Sequence, residues 1–253
     1  MDRAGCCIIR RGNVIRFVTE TGSTNSDLAA QLRSGEGSPE GQWLVADRQV
    51  SGRGRQGRTW FDGSGNFMGS TAVHLAPRDP NPATLALVAG IAAYDAVCGL
   101  LANPGQLRLK WPNDLMLGDA KLAGILLERE GDVIIVGMGI NLAAAPDLPD
   151  RKTIALSALG PAPDRDTFAN ALAATFDTEL ERWRTYGLEP LIRRWEAAAH
   201  PRGAALTVQP PGEGTLHGVF DGLTDDGALS LRLADGSSRV IHAGDVMLAN
   251  EGN

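Results

Sequence analysis

Two apolar runs in the middle of the chain constrain its fold more than any other feature. Residues 121–128 and 133–140 are nearly free of polar alternation and are split by Glu130-Gly131-Asp132. Runs of that length and composition read as buried strands joined by a hairpin. Around them lie further strands at residues 14–18, 42–46, 67–75 and 107–111, and a helical stretch at 82–101. Thr24-Asn25-Ser26-Asp27 opens another helix, which Ser23 or Thr24 can cap. Leu28 and Leu32 give it an apolar face, and Gly35 can end it. In residues 167–186, Phe168, Leu172, Phe176, Leu180 and Trp183 recur at helical spacing. The composition shifts at His200-Pro201-Arg202-Gly203. Beyond it, four or five short strands alternate with Pro-Pro-Gly-Glu-Gly, Thr-Asp-Asp-Gly and Ala-Asp-Gly-Ser turns, the pattern of a small barrel. The expected domains are therefore residues 1–202 and 203–253. The second holds no lysine and no catalytic-looking cluster, and it reads as a helper module.

The 253 residues are 43% hydrophobic and 21% charged, with ample material for a core. A net charge of −6 argues against nucleic acid as the main partner, since phosphate binding rests on Lys and Arg. Cys6, Cys7 and Cys98 form no CxxC pair, and reduced thiols in a cytoplasmic chain are expected. The N-terminal residues lack the apolar run of a signal peptide. The most apolar stretch, residues 85–102, carries Asp95 near its middle and reads as a buried helix, so no membrane partner is expected.

Four segments suggest chemistry. Gly52-Arg53-Gly54-Arg55-Gln56-Gly57-Arg58-Thr59-Trp60 combines glycines that let backbone approach an anion with guanidinium groups that grip carboxylate or phosphate. It also reads as a solvated loop or an RNA-binding Gly/Arg tract. No apolar residue lies between Ser51 and Thr59, so a bound anion is expected to order it. Lys110-Trp111-Pro112-Asn113-Asp114 ends an apolar strand, with Asn-Asp turning polar groups outward; an ordinary turn would look the same. In Lys121-Leu122-Ala123-Gly124-Ile125-Leu126 a cation heads an apolar strand, so its ammonium must meet an anion or a cavity. In Gly137-Met138-Gly139-Ile140-Asn141 the glycines clear space and Asn141 offers an amide. Only Lys110, Lys121 and Lys152 are lysines among 24 basic residues, so a compact ammonium is favoured at the two motif positions.

Together with Thr21-Gly22-Ser23-Thr24-Asn25 and Gln49, these segments resemble the biotin protein ligase family in content and order, over residues 14–250. The resemblance implies a mixed α/β catalytic domain related to class II aminoacyl-tRNA synthetases, followed by an SH3-like barrel. It implies that biotin and ATP, with Mg²⁺, form biotinyl-5'-AMP, which then biotinylates a lysine of a biotin carboxyl carrier protein. Ser23, Thr24, Asn25 and Gln49 would bind the ureido and thiophane end of biotin. Gly52, Arg53, Gly54, Arg55 and Lys121 would lie along its carboxylate side, with Gly124 under its rings. Arg55 and Arg58 would hold the triphosphate, Trp60 would pack on adenine, and Lys110, Asn113 and Asn141 would line the adenylate. Asp114 would orient Mg²⁺ or a neighbouring cation. Lys121, Arg55 and Arg53 would be catalytic, with Lys121 bridging the biotin carboxylate and the α-phosphate. The pattern resembles the type without an N-terminal DNA-binding domain, so no DNA partner is expected; monomer and homodimer both stay open. Val50-Ser51 and residues 61–68 depart from the family pattern.

Three alternatives stand beside this one: a lipoate or octanoate ligase of the same superfamily, a nucleic-acid-binding protein using the Gly/Arg loop, and a catalytically idle biotin-binding module.

Overall fold

The computed structural model describes residues 14–248 and the backbone of Ile8–Ile9; Cys6 and Cys7 lie outside the described residues. Thirteen strands and four α-helices are described. In the larger part these are β1 (Ile8–Ile9), β2 (Val14–Thr21), α1 (Thr24–Ser34), β3 (Gln42–Gln49), β4 (Phe67–His74) and α2 (Leu85–Cys98). They continue with β5 (Leu107–Lys110), β6 (Asp114–Leu117), β7 (Ala120–Glu130), β8 (Val133–Ile140), α3 (Arg165–Tyr186) and α4 (Leu188–Ala198). One eight-stranded sheet runs in the order β1-β2-β3-β4-β8-β7-β6-β5. All its pairings are antiparallel except β2 with β3, which are joined through α1 as a parallel pair requires. This crossover delivers the first residues of α1 to the end of β3, where Thr21 pairs with Gln49.

The two apolar runs form β7 and β8 in the middle of the sheet, as expected. On one face, Ile134, Val136, Met138 and Ile140 join the main core under α2, α3 and α4. Trp43 packs edge-on to Phe67 and Phe176 there. On the other face, a small cluster of Leu28, Leu44 and Ile135 seats α1. Farther along that face Gly137 and Gly139 follow Ile135, so packing gives way to open space.

Several local expectations needed correction. β6 and α4 were not expected: β6 is four residues long and is held by pairing to β5 and β7. α4 carries Leu188, Leu191, Ile192 and Trp195 at helical spacing, a signal that was there to read, and buries the last three. Strands β2 and β3 extend beyond 18 and 46 into polar residues, because pairing to each other continues there. Ser23 is the N-cap of α1 but makes no side-chain capping bond; Gly35 ends the helix at φ 80°, as expected. α3 starts two residues early, where Asp164 caps it through the Thr167 N–H at 2.8 Å.

The C-terminal residues form β9 (Ala205–Gln209), β10 (Leu216–Leu223), β11 (Leu229–Arg232), β12 (Ser238–Ile241) and β13 (Asp245–Leu248), an antiparallel sheet in the order β12-β11-β10-β9-β13. Its apolar residues Leu206, Val208, Phe220 and Leu229 are continuous with the main core. The indole of Trp111 donates to the Gly227 carbonyl at 3.2 Å, and Trp195 packs edge-on to Phe220. No helix among the described residues is long and apolar enough to cross a membrane.

His200 sits at the junction between α4 and β9. Burial, reinforced by the charges of Lys110 and Arg108, pushes its imidazole down to about 4, and its Nε2 has no hydrogen-bond partner. Between pH 6.5 and 4 the unfolded chain therefore binds a proton that the folded His200 refuses. Stability should fall as pH drops through that window. Thermal melts at pH 7 and pH 5 should show a smaller acid penalty in His200→Gln than in the parent protein.

Candidate active site

A cleft of about 1520 Å³ lies on the α1 face of the large sheet, roofed by the Gly/Arg segment and bounded on one side by β13. All the side chains expected to serve the site line it. Of the three glycines given roles, Gly54 and Gly124 line it, and Gly52 closes the neck of the loop through its carbonyl, 2.9 Å from the Trp60 N–H.

One end of the cleft is a buried polar network. Gln49 Oε1 accepts from the Thr24 backbone N–H at 2.7 Å, and Thr24 Oγ1 lies 2.6 Å from Ser70 Oγ. Ser70 donates to Asn25 Oδ1 at 2.6 Å, and Asn25 Nδ2 donates to Glu128 at 2.7 Å. Ser23, Thr24, Asn25, Gln49 and Ser70 are all buried. Such density of hydrogen-bonding groups in an apolar fold marks a place built for a polar ligand end.

The middle of the cleft is flat and apolar. Gly124 of β7 and Gly139 of β8 are paired across the sheet, and the Trp60 indole lies on both. A Cβ on Gly139 would stand 2.1 Å from that ring, and one on Gly124 2.9 Å from it. Gly137 likewise admits the Asn25 carboxamide, whose Oδ1 would be 2.2 Å from a Cβ there. Trp60, expected on the adenine side, thus shares one surface with Gly124, expected under the rings of biotin.

The far end is cationic. Asp114, largely but not wholly buried, places Oδ1 2.6 Å from Lys121 Nζ and Oδ2 3.2 Å from Lys110 Nζ. Burial alone would raise its carboxyl, but the two ammonium groups outweigh burial and hold it below the usual carboxylate range. Lys121 also stands 5.6 Å from the Trp60 ring centroid. A bulge in β7 makes this possible: Leu115 pairs with Ala123, but Met116 pairs with Lys121, so Leu122 is an extra residue. Without it Lys121 and Gly124, three residues apart, would point to opposite faces.

Both oxygens of Asp114 are occupied by ammonium groups, and no three His, Cys, Asp or Glu residues gather to hold a metal among the described residues. A resident Mg²⁺ does not fit at Asp114; this carboxylate orients the neighbouring lysines.

The Gly/Arg segment is shaped by bonds of its own. Gly54 N–H donates to the Arg58 carbonyl at 2.7 Å, and Arg53 bridges Thr59. Gln56 (φ 57°) and Gly57 (φ 73°) turn the chain through left-handed conformations. Protein groups take the place of an outside anion. Arg53 lies 3.8 Å from Glu128, Arg55 donates to Asn113 at 3.0 Å and to the Gly244 carbonyl at 3.4 Å, and Arg58 pairs with Asp245. Asn113 is itself held by a 2.6 Å bond to the Ile125 carbonyl. Asn141 is among the residues that line the cleft, with its Nδ2 donating to the Ile154 carbonyl at 3.2 Å and its buried Oδ1 without a partner.

Sequence reasoning missed Ser70, Glu128, Asn66 and Asp245. Asn66, buried, receives the Ala143 and Ala144 N–H groups at 2.9 and 3.0 Å and anchors the atypical segment 61–68 to the exit of β8. Ser70 and Glu128 could have been suspected as polar residues within apolar strands. Asp245 had no signal, since its partner lies 187 positions away.

The biotin/lipoate A/B protein ligase family matches residues 17–143, and the biotin protein ligase C terminal domain matches residues 207–248. A biotin--[acetyl-CoA-carboxylase] ligase of Paracoccus denitrificans is 36% identical over 242 residues, covering 91% of this chain and 98% of that protein. This chain belongs to the biotin/lipoate A/B protein ligase family. Another family member, a biotin--[acetyl-CoA-carboxylase] ligase of Mycobacterium tuberculosis, is 35% identical over 91% of this chain and 87% of its own. The biotin protein ligase of Aquifex aeolicus, solved in complex with biotin and ATP, superimposes with a TM-score of 0.82 at 25% identity, over 93% of this chain and 99% of the other. The mixed α/β domain with its C-terminal barrel-like module is thus the family's architecture.

Gly139→Ala should push the Trp60 indole off the sheet while leaving the fold intact, since the glycine has φ < 0. Biotin affinity measured by calorimetry should drop by about tenfold or more, the scale of losing one well-packed ring contact. Unchanged affinity would mean that the indole does not form the floor.

Proposed function

We propose that this protein is a biotin protein ligase: it joins biotin to AMP at the expense of ATP, then passes the biotinyl group to a lysine of a biotin carboxyl carrier protein. The carrying observation is the order of surfaces in one cleft. A hydrogen-bonding end, a flat apolar floor and a cationic end follow each other, matching a ureido bicycle, an alkyl chain and a carboxylate meeting a triphosphate. A lipoyl or octanoyl chain would leave the Gln49–Thr24–Ser70–Asn25 end without ligand partners, which a buried polar site penalises. Against the nucleic-acid alternative, the three arginines turn toward groups of this chain instead of forming a free basic tract.

In the first half-reaction the biotin carboxylate attacks the α-phosphate and pyrophosphate leaves. Two anions must meet, so fixed positive charge is required at the point of contact. Lys121 supplies it, held by Asp114 beside the Trp60 floor, with Lys110 as the second cation. Arg55 and Arg58 exchange Gly244 and Asp245 for phosphate oxygens, and Mg²⁺ enters with ATP as its complex. In the second half-reaction the carrier lysine attacks the mixed anhydride and AMP leaves; Lys121 stabilises the charge developing at that carbonyl. The roof formed by the Gly/Arg segment shields the anhydride from water. This reading places the reaction in the cytoplasm and assigns no DNA-binding role.

Biotin-dependent ATP–pyrophosphate exchange, followed by labelling of a carrier domain, tests the proposal; better transfer of octanoate or lipoate than of biotin would refute it. Lys121→Ala should lower exchange by about 10²–10³, typical of losing one preorganised donor. Lys121→Arg should recover little, because a planar guanidinium cannot fit between Asp114 and the indole.

A further inference from the structure

We infer that Glu128, through Asn25, fixes the hydrogen-bonding sense of the cleft's polar end and thereby its preference for a ligand with ring N–H donors. Glu128 is a positioning residue on this reading, which rests on biotin being the ligand. A carboxylate only accepts, so the Asn25 atom 2.7 Å from Glu128 Oε2 must be the amide nitrogen, and the carbonyl Oδ1 must face the other way. From there the sense of each bond follows by counting protons. Ser70 has one hydroxyl proton and spends it on Asn25 Oδ1 at 2.6 Å, so toward Thr24 it can only accept. Thr24 must then donate its single proton to Ser70 at 2.6 Å, and its Oγ1 cannot also donate to Gln49 Oε1, 3.1 Å away. Gln49 Oε1 is satisfied by the Thr24 backbone N–H at 2.7 Å, which leaves its Nε2 as a donor.

The polar end therefore offers a fixed set: lone pairs on Asn25 Oδ1 and Thr24 Oγ1, and a donor on Gln49 Nε2. A cyclic urea, with two N–H groups flanking a carbonyl, is the complement of that set. Without an acceptor at residue 128 nothing enforces the direction. Asn25 can turn its carboxamide over, both hydroxyl protons can reverse, and the same residues present the opposite pattern with little change in shape. Glu128 also lies 3.8 Å from Arg53, so the same side chain ties this network to the roof.

Two substitutions separate acceptance from mere bulk. Glu128→Gln keeps an acceptor within reach of the Asn25 amide, whereas Glu128→Met keeps the length without one. Biotin KM and kcat would be read from ATP–pyrophosphate exchange, alongside the two cyclic carbamate analogues in which one ureido N–H is replaced by oxygen. Glu128→Gln should keep biotin KM within about threefold and retain the parent protein's preference for biotin over the carbamates. Glu128→Met should raise biotin KM about tenfold with kcat within about threefold, and should lose most of that preference, because a freed Asn25 can donate to the ring oxygen. Equal impairment of both variants would overturn the inference, as would a carbamate preference unchanged in Glu128→Met. Absence of biotin-dependent exchange in the parent protein would instead remove the functional reading on which it rests.

Discussion

The site depends on side chains that are missing from two central strands. β7 and β8 are buried on one face by the helices, and on the other they carry Gly124, Gly137 and Gly139 where a continuous core would place aliphatic groups. Each glycine admits one specific group: Trp60 lies over Gly124 and Gly139, and Asn25 over Gly137. The flat floor and the polar end are therefore parts of one backbone surface, and their spacing is set by strand pairing instead of loop conformation. A rigid sheet can hold catalytic groups at fixed separation, which loops do poorly.

Charge is arranged around that floor in opposed pairs. The chain is acidic overall, yet the cleft gathers Lys110, Lys121, Arg53, Arg55 and Arg58. Acidic groups from distant elements balance them: Asp114 between the two lysines, Glu128 near Arg53 and Asp245 against Arg58. Asp114 is the most buried of the three and cannot be spared, because removing it would leave two cations beside an apolar floor. Asp245 is in partial contact with solvent, where an incoming phosphate can replace it at little cost. The permanent and the exchangeable counter-charges thus differ in burial.

The C-terminal module is more closely involved in this arrangement than a helper would be. Its apolar residues share the main core, and Gly244 and Asp245 reach the arginines of the roof. Trp111, in the turn that presents Asn113 and Asp114, donates to Gly227 of the module. Movement of the module would be felt on both sides of the cationic end. That coupling gives a physical reason for a module without catalytic groups to accompany the catalytic domain.

By itself the sequence determined the buried hairpin of β7 and β8, the helix opened at Thr24, the C-terminal run of short strands and the set of motif residues that line the cleft. The first three rest on local patterns of apolar period and of glycine and proline turns, while the motif residues rest on the resemblance to the biotin protein ligase family, which alone brought in Asn25 and Gln49. Only the tertiary structure decided that Lys121 faces the same way as Gly124, since this depends on one extra residue at Leu122 that pairing with β6 reveals. It also decided that Trp60 lies on Gly124, that Asp114 serves two lysines, and that Glu128 and Asp245 take part at all. Residues from remote parts of the chain meet there, and a contact across 103 or 187 positions leaves no period or spacing in the sequence to read.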